Sequence, residues 1–165
     1  MQNFLTDSPI LIACDHAGFE LKQFLKSHFV GRLNFIDLGT DSRDSVDYPD
    51  FADAVGTRIN SEKGPEKFGI LICGSGVGIC IRANRYLKVR AVQVWNEEIA
   101  KLSREHNDAN VICFGERVQE KNQCAKLLGI FLSTAFLGSN EFEEASHGAA
   151  YRHFNRVKKL ETPIR

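Results

Sequence analysis

The sequence predicts an α/β fold: a three-layer αβα, Rossmann-like sandwich around a five-stranded parallel sheet, with a C-terminal helix extension. Three observations carry this. Short apolar runs bounded by glycine or polar turn residues recur along the 165-residue chain. Segments with apolar residues at helical spacing separate them, and such βα units build a parallel sheet through right-handed crossovers. The third run, Ile70-Leu-Ile-Cys73, opens into Gly74-Ser-Gly-Val-Gly78, which leads into a helix. Strand, glycine turn and helix start together aim backbone N–H groups at an anion.

Taken in order, Ile10–Ala13 is a first strand ending in Cys14-Asp15-His16-Ala17-Gly18. Leu21, Phe24, Leu25, His28 and Phe29 recur at helical spacing, so Phe19–Phe29 is an amphipathic helix. Phe35–Leu38 is a second strand, and a helix from Asp50 to Ile59 follows Tyr48-Pro49. Phe68–Ile72 is the third strand, with a helix from Ile79 to Arg85, and Val89–Val94 is the fourth. Glu97–Glu105 is a helix with acidic residues in its first turn, as the dipole prefers. His106-Asn107-Asp108-Ala109-Asn110 then connects to a fifth strand, Val111–Phe114. A long helix covers Glu120–Phe136, Gly138–Gly148 is loop-like, and Ala149–Leu160 is the final helix. Residues 1–165 read as one domain with a tail at 1–8, and the expected strand order is 2-1-3-4-5. In that order the first and third strands are neighbours at the switch point, where ligands bind at the carboxyl ends. Asp15-His16 would then face Cys73–Gly78.

Composition narrows the function classes. Lys plus Arg and Asp plus Glu both number 21, so the net charge calls for neither nucleic acid nor an anionic membrane. No apolar run approaches the roughly 18 residues that span a bilayer. Met1–Ser8 lacks the basic residue and apolar core of a signal peptide. Five cysteines without paired spacing point to reduced thiols in a cytoplasmic protein, and no clustered Cys or His set suggests zinc.

The chemistry concentrates at the strand ends. Cys73 sits at the rim of the glycine turn, near a helix start that favours its thiolate, and is a nucleophile or a general base. Ser75 adds a hydroxyl that can shuttle a proton, and the glycines let a substrate approach N–H groups suited to an oxyanion. The bland alternative is a tightly packed turn beside a structural cysteine. Asp15 and His16 can bind hydroxyls or phosphate, or Asp15 simply caps the next helix. Arg117 ends the fifth strand, and Arg152 and Arg156, four apart on the last helix, share a face that suits a phosphate or a solvated basic surface. Cys14, Cys80, Cys113 and Cys124 read as structural.

With these residues assembled, the chain resembles the type B ribose-5-phosphate isomerases, a family that includes the galactose-6-phosphate isomerase subunits. The resemblance runs from Ile10 to about Leu160. It rests on Cys14-Asp-His-Ala-Gly18, Asp47-Tyr-Pro49, Gly69–Ile79, Ala83-Asn84, Arg90-Ala91, Leu102-Ser-Arg104, His106–Asn110, Phe114-Gly115 with Arg117-Val118, and Arg152-His153 with Arg156-Val157. It implies a metal-independent, cofactor-free aldose–ketose isomerase of phosphosugars working through an enediolate. Cys73 matches the family's base between carbon 1 and carbon 2, and His106 its ring-opening proton donor. Ser75 stands where the family often has Thr and would move protons between sugar oxygens. Gly74, Ser75, Gly76, Val77 and Gly78 would hold the sugar's reacting end. Asp15, Tyr48 and Asn107 match residues near the sugar hydroxyls; His16, Arg117, Arg152 and Arg156 match residues that bind substrate, chiefly its phosphate. The segment Ser139–Tyr151, with the unassigned His147, is longer than usual.

The implied reaction interconverts ribose 5-phosphate and ribulose 5-phosphate in the pentose phosphate pathway. A hexose 6-phosphate (allose or galactose) isomerase and a non-catalytic phosphosugar-binding module are the alternatives. Geometry adds one expectation. A helix-to-strand loop lies at the sheet edge opposite the strands' carboxyl ends, so His106 and Asn107 should not reach Cys73 of their own chain. A homodimer, or a dimer of dimers, whose partner supplies His106 would complete the site.

Overall fold

The computed structural model describes residues 7–61, 63–138 and 148–162. In order these form β1 (Ile10–Cys14), a single 3-10 turn (His16–Gly18), α1 (Phe19–His28), β2 (Phe35–Asp37) and α2 (Tyr48–Ser61). β3 (Gly69–Cys73), α3 (Val77–Ala83), β4 (Ala91–Gln93), α4 (Glu97–Asn107), β5 (Val111–Gly115), α5 (Lys121–Ser133) and α6 (Ala149–Leu160) follow. His147 and most of the long segment before α6 lie outside the described residues.

All five strands pair in parallel, in the order β2-β1-β3-β5-β4. The expected order placed the fourth strand inside and the fifth at the edge; the two are exchanged. Burial explains the exchange. β1, β3 and β5 are five residues each and buried throughout, whereas β2 and β4 are three residues each and only partly covered. An unbroken apolar strand such as Val111-Ile-Cys-Phe needs a neighbour on both edges and a layer on both faces. Ala91-Val-Gln93, flanked by Arg90, does not.

Strand alternation divides the core in two. Ile10, Ile12, Ile70, Ile72, Ile112 and Phe114 pack under α1, α4 and α5. Leu11, Ala13, Leu71, Cys73, Val111 and Cys113 pack under α2 and α3. Each fully buried Leu or Ile contributes roughly 1.5–3 kcal/mol.

Several helix boundaries differ from expectation, among them those of α2, α5 and α4; α3 runs from Val77 to Ala83 rather than from Ile79 to Arg85. α2 begins at Tyr48, because Pro49 in the first turn forfeits only an N–H that has no helical partner. α5 stops at Ser133, where Thr134 turns extended and its hydroxyl donates back to the Ile130 carbonyl at 2.6 Å. α4 runs on through His106 and Asn107, which are therefore its last turn rather than a connecting loop. Its stop is Asp108, which is left-handed (φ 46°) and sends its N–H to the Arg104 carbonyl at 3.1 Å. The Asp108 carboxylate is held by Arg104 at 2.7 Å and Arg90 at 2.8 Å, which fixes that corner.

One buried cation ties α1 to the sheet edge. Lys22, 2% exposed, donates to Asp37 at 2.9 Å and to the Thr40 carbonyl at 2.6 Å, and Lys26 reaches the other Asp37 oxygen. Burial alone would raise the Asp37 carboxyl, but hydrogen bonds from Lys26, Lys22 and the Gly39 N–H outweigh it and hold it below its ordinary range. The stabilisation is thus fully present above the unfolded carboxylate pKa of about 3.9 and lost as pH falls through the lower folded value. Asp37→Asn is expected to cost about 2 kcal/mol at pH 7, since it strands a buried ammonium. The difference from the parent should close in strong acid, as read by urea unfolding at both pH values.

Candidate active site

The parallel register brings three strand ends to one rim. Cys14 pairs with Ile72 and Cys73 with Gly115, so the residues that follow each strand emerge level with one another. After β1, Asp15 turns its carboxylate onto the Gly18 N–H at 3.0 Å, capping the 3-10 turn. The capping alternative is thus realised, and Asp15 still lines the cleft beside Cys73. His16 Nδ1 stands 3.2 Å from the Val46 carbonyl and 3.1 Å from the Val46 N–H; it donates to the first when it carries the proton and accepts from the second in the tautomer that leaves the proton on Nε2. That tautomer offers a donor to an incoming hydroxyl or phosphate.

After β3 the chain makes its glycine turn. Cys73 is 4% exposed, and its Sγ accepts from the Gly76 N–H at 3.1 Å. Such a contact strengthens when the sulfur carries negative charge. Gly76 is left-handed (φ 79°), and a Cβ there would come within 2.9 Å of the Phe114 carbonyl carbon. Only glycine meets both conditions at low cost. Gly78 lies beneath the Tyr48 ring, 2.6 Å from where its Cβ would be, so the ring closes onto the turn. The Ser75 hydroxyl accepts from the Val77 N–H at 3.3 Å and is otherwise exposed. The Ser75 carbonyl is held by the Gln93 side chain.

After β5, Glu116 and Arg117 send their N–H groups to the carbonyls of Cys73 and Gly74, both at 3.0 Å. The Glu116 carboxylate accepts from the Leu21 N–H at 3.0 Å, which binds this loop to α1. The Arg117 guanidinium comes to lie against Gly74.

Together these residues line an open cleft of about 570 Å³ formed by Asp15, His16, Tyr48, Cys73, Gly74, Ser75, Val77, Gly78 and Arg117. Ala17 and Val118 complete it. The sequence reading missed both, as it missed Gln93. The first two were readable as immediate neighbours of candidates; Gln93 had no signal beyond being polar in a strand. Cys14 and Cys124 are buried thiols, each pushed up to about 12, chiefly by burial.

His106, Asn107, Arg152 and Arg156 do not line this cleft. His106 and Asn107 end α4, whose carboxyl end feeds the start of β5, the sheet edge opposite the cleft. Arg152 and Arg156 are exposed on α6, which packs against α4. His106 lies face to face with His153 of that helix. The candidate residues thus fall into two groups within the chain. The first brings a thiol, a hydroxyl, a carboxylate and a guanidinium around a glycine turn; the second places imidazole and guanidinium groups on a helix pair.

Comparison with known proteins gives one answer. A family model described as ribose/galactose isomerase matches residues 10–160. The probable ribose-5-phosphate isomerase B of Mycoplasma pneumoniae is 37% identical over 154 residues, covering 92% of each chain. Ribose-5-phosphate isomerase B of Escherichia coli is 41% identical over 130 residues, 78% of this chain and 86% of that one. The enzyme from Mycoplasma genitalium, solved with bound ribulose 5-phosphate, superposes with a TM-score of 0.81 at 34% identity, covering 94% of this chain and 95% of the other.

Proposed function

The chain belongs to the ribose/galactose isomerase family, and from that premise we propose that it interconverts ribose 5-phosphate and ribulose 5-phosphate by proton transfer, without a metal. The observation that carries the reading is the cleft itself: a thiol beside a glycine turn, flanked by a carboxylate and a guanidinium. Relatives that share most of its length are ribose-5-phosphate isomerases B, and one was solved with the ketose product.

The geometry supports a division of labour. Cys73 takes the proton from carbon 2 of the open-chain aldose and returns it to carbon 1. The enediolate oxygen that forms faces the turn around Gly74–Gly78, whose N–H groups beyond those that Gly76 and Val77 give to Cys73 and Ser75 stabilise the charge. Ser75, with its hydroxyl exposed to the cleft, moves a proton between the two sugar oxygens. Asp15 and Tyr48 hold sugar hydroxyls, and His16 and Arg117 meet the substrate's polar end. His106 opens the furanose ring and Asn107 steadies it, while Arg152 and Arg156 bind the phosphate, all reaching the cleft from a partner subunit. Arginine forks suit a phosphate because two parallel N–H groups match two of its oxygens.

The test is a coupled assay on ribose 5-phosphate, allose 6-phosphate and galactose 6-phosphate with excess EDTA throughout. Ribose 5-phosphate should turn over at the highest kcat/KM, and the chelator should leave the rate unchanged. A higher kcat/KM on either hexose phosphate would reassign the substrate. Binding without turnover of any of the three would reduce the protein to a phosphosugar-binding module.

A further inference from the structure

Near the second group of site residues, α6 buries only His153 and Val157. His153 is 7% exposed, and its Nδ1 is buried without a hydrogen-bond partner among the described residues. An orphaned polar atom in a buried position is uncommon and calls for a reason. The ring supplies one. It stacks on His106 with centroids 4.3 Å apart and planes within 7° of parallel. The helix that carries it is fixed by Val157 in the core and by the Glu161–Arg90 ion pair just beyond its end.

We propose that His153 is a positioning residue for His106, a flat plate that sets the plane of the reacting imidazole. The inference rests on the ring-opening role given to His106 above. A histidine's outer torsion is broad, so its ring plane must be fixed from outside. His106 sits at the end of a helix, partly exposed, where its own backbone does not fix that plane. The stacked face does so while leaving both His106 nitrogens at the ring edge, available to a sugar oxygen and its proton. Burial, with His106, Arg152 and Arg156 nearby, pushes the His153 imidazole below its ordinary range. A plate that stays neutral does not repel a protonated His106.

A double-mutant cycle tests this by steady-state isomerisation of ribose 5-phosphate. His153→Ala should lower kcat by about tenfold and move KM by no more than about twofold, since misplacing a reacting group costs turnover rather than binding. His153→Phe, which restores the flat face without a nitrogen, should recover most of the loss. In a His106→Asn background, His153→Ala should cost almost nothing further, because the group it positions is gone. An undiminished tenfold loss in that background overturns the proposal. So does a Phe variant as poor as Ala, or a loss confined to KM, which would trace to Arg152 and Arg156 on the same helix. Full activity of His106→Asn alone instead overturns the ring-opening role itself. Should His153→Ala fail to fold, comparing Phe with Leu at this position, a flat filler against a branched one, puts the same question.

Discussion

A Cys73→Ala variant is expected to lose roughly 10²–10⁴-fold in kcat for ribose 5-phosphate, the range of a lost general base, while still binding phosphosugar. The fold should survive, because Cys73 is the last of the five buried positions of β3 and the other four still carry the core there. Among the described residues its sulfur has one hydrogen bond, from Gly76 N–H, so the stability cost should be about 1 kcal/mol, measurable as a small shift in Tm. Arg117 is untouched and the glycine turn loses only the Gly76 N–H contact to Sγ, so calorimetric affinity for the substrate should stay within a few-fold of the parent. Isotope chemistry then separates proton transfer from a hydride shift. If Cys73 is a base, turnover in D2O places deuterium on carbon 1 of ribulose 5-phosphate, because the abstracted proton exchanges before return. A direct hydride shift leaves carbon 1 unlabelled. Full activity in the Ala variant would remove the thiol from the mechanism altogether.

The cleft half of the candidate site was legible in the sequence because its signals are local. Glycines at alternate positions after an apolar strand report a turn, and Cys73 and Ser75 lie inside that turn. Asp15 and His16 end another strand, and the parallel register makes the two ends neighbours. Strand order was less legible, since it depends on which strands tolerate a bare edge, a property of the assembled sheet. The fourth strand reads from sequence as Val89–Val94, longer than the fifth; that it spans only Ala91–Gln93, and so can sit at the edge, shows only in the folded sheet. The end of α4 was misread because Asn and Asp after a helix look like turn formers. What decides the boundary is a long-range event, Arg90 reaching the Asp108 carboxylate. His153 entered only as part of a motif, and its inward turn was illegible for a similar reason. On a helix rich in arginine and lysine, nothing in the neighbouring residues says which position turns inward until α4 is packed against it. Only its spacing of four from Val157 hints at a shared buried face.

Co-purified heterodimers should show that each active site is built from two chains. One chain would carry Cys73→Ala and the other His106→Asn, with different tags so that only mixed dimers are recovered. Each homodimer of a single variant is impaired at both of its sites. In the mixed dimer, a shared site pairs the intact Cys73 of one chain with the intact His106 of the other, while the second site has lost both. About half of parental activity should return, one site in two of a two-fold dimer. Sites contained within single chains predict no recovery, since each chain then lacks one residue. The reciprocal experiment inverts the sign. A chain carrying both substitutions, paired with an unaltered chain, should be nearly inactive if sites are shared, because each site then loses one residue. If sites are self-contained, that same dimer keeps half its activity. The placement within one chain motivates the test: the cleft residues follow β1, β3 and β5, whereas His106 and Asn107 end α4, ahead of β5. A protein that stays monomeric, with no mixed species recovered through the two tags, yet turns over ribose 5-phosphate at full rate would refute the shared site as decisively as the wrong sign.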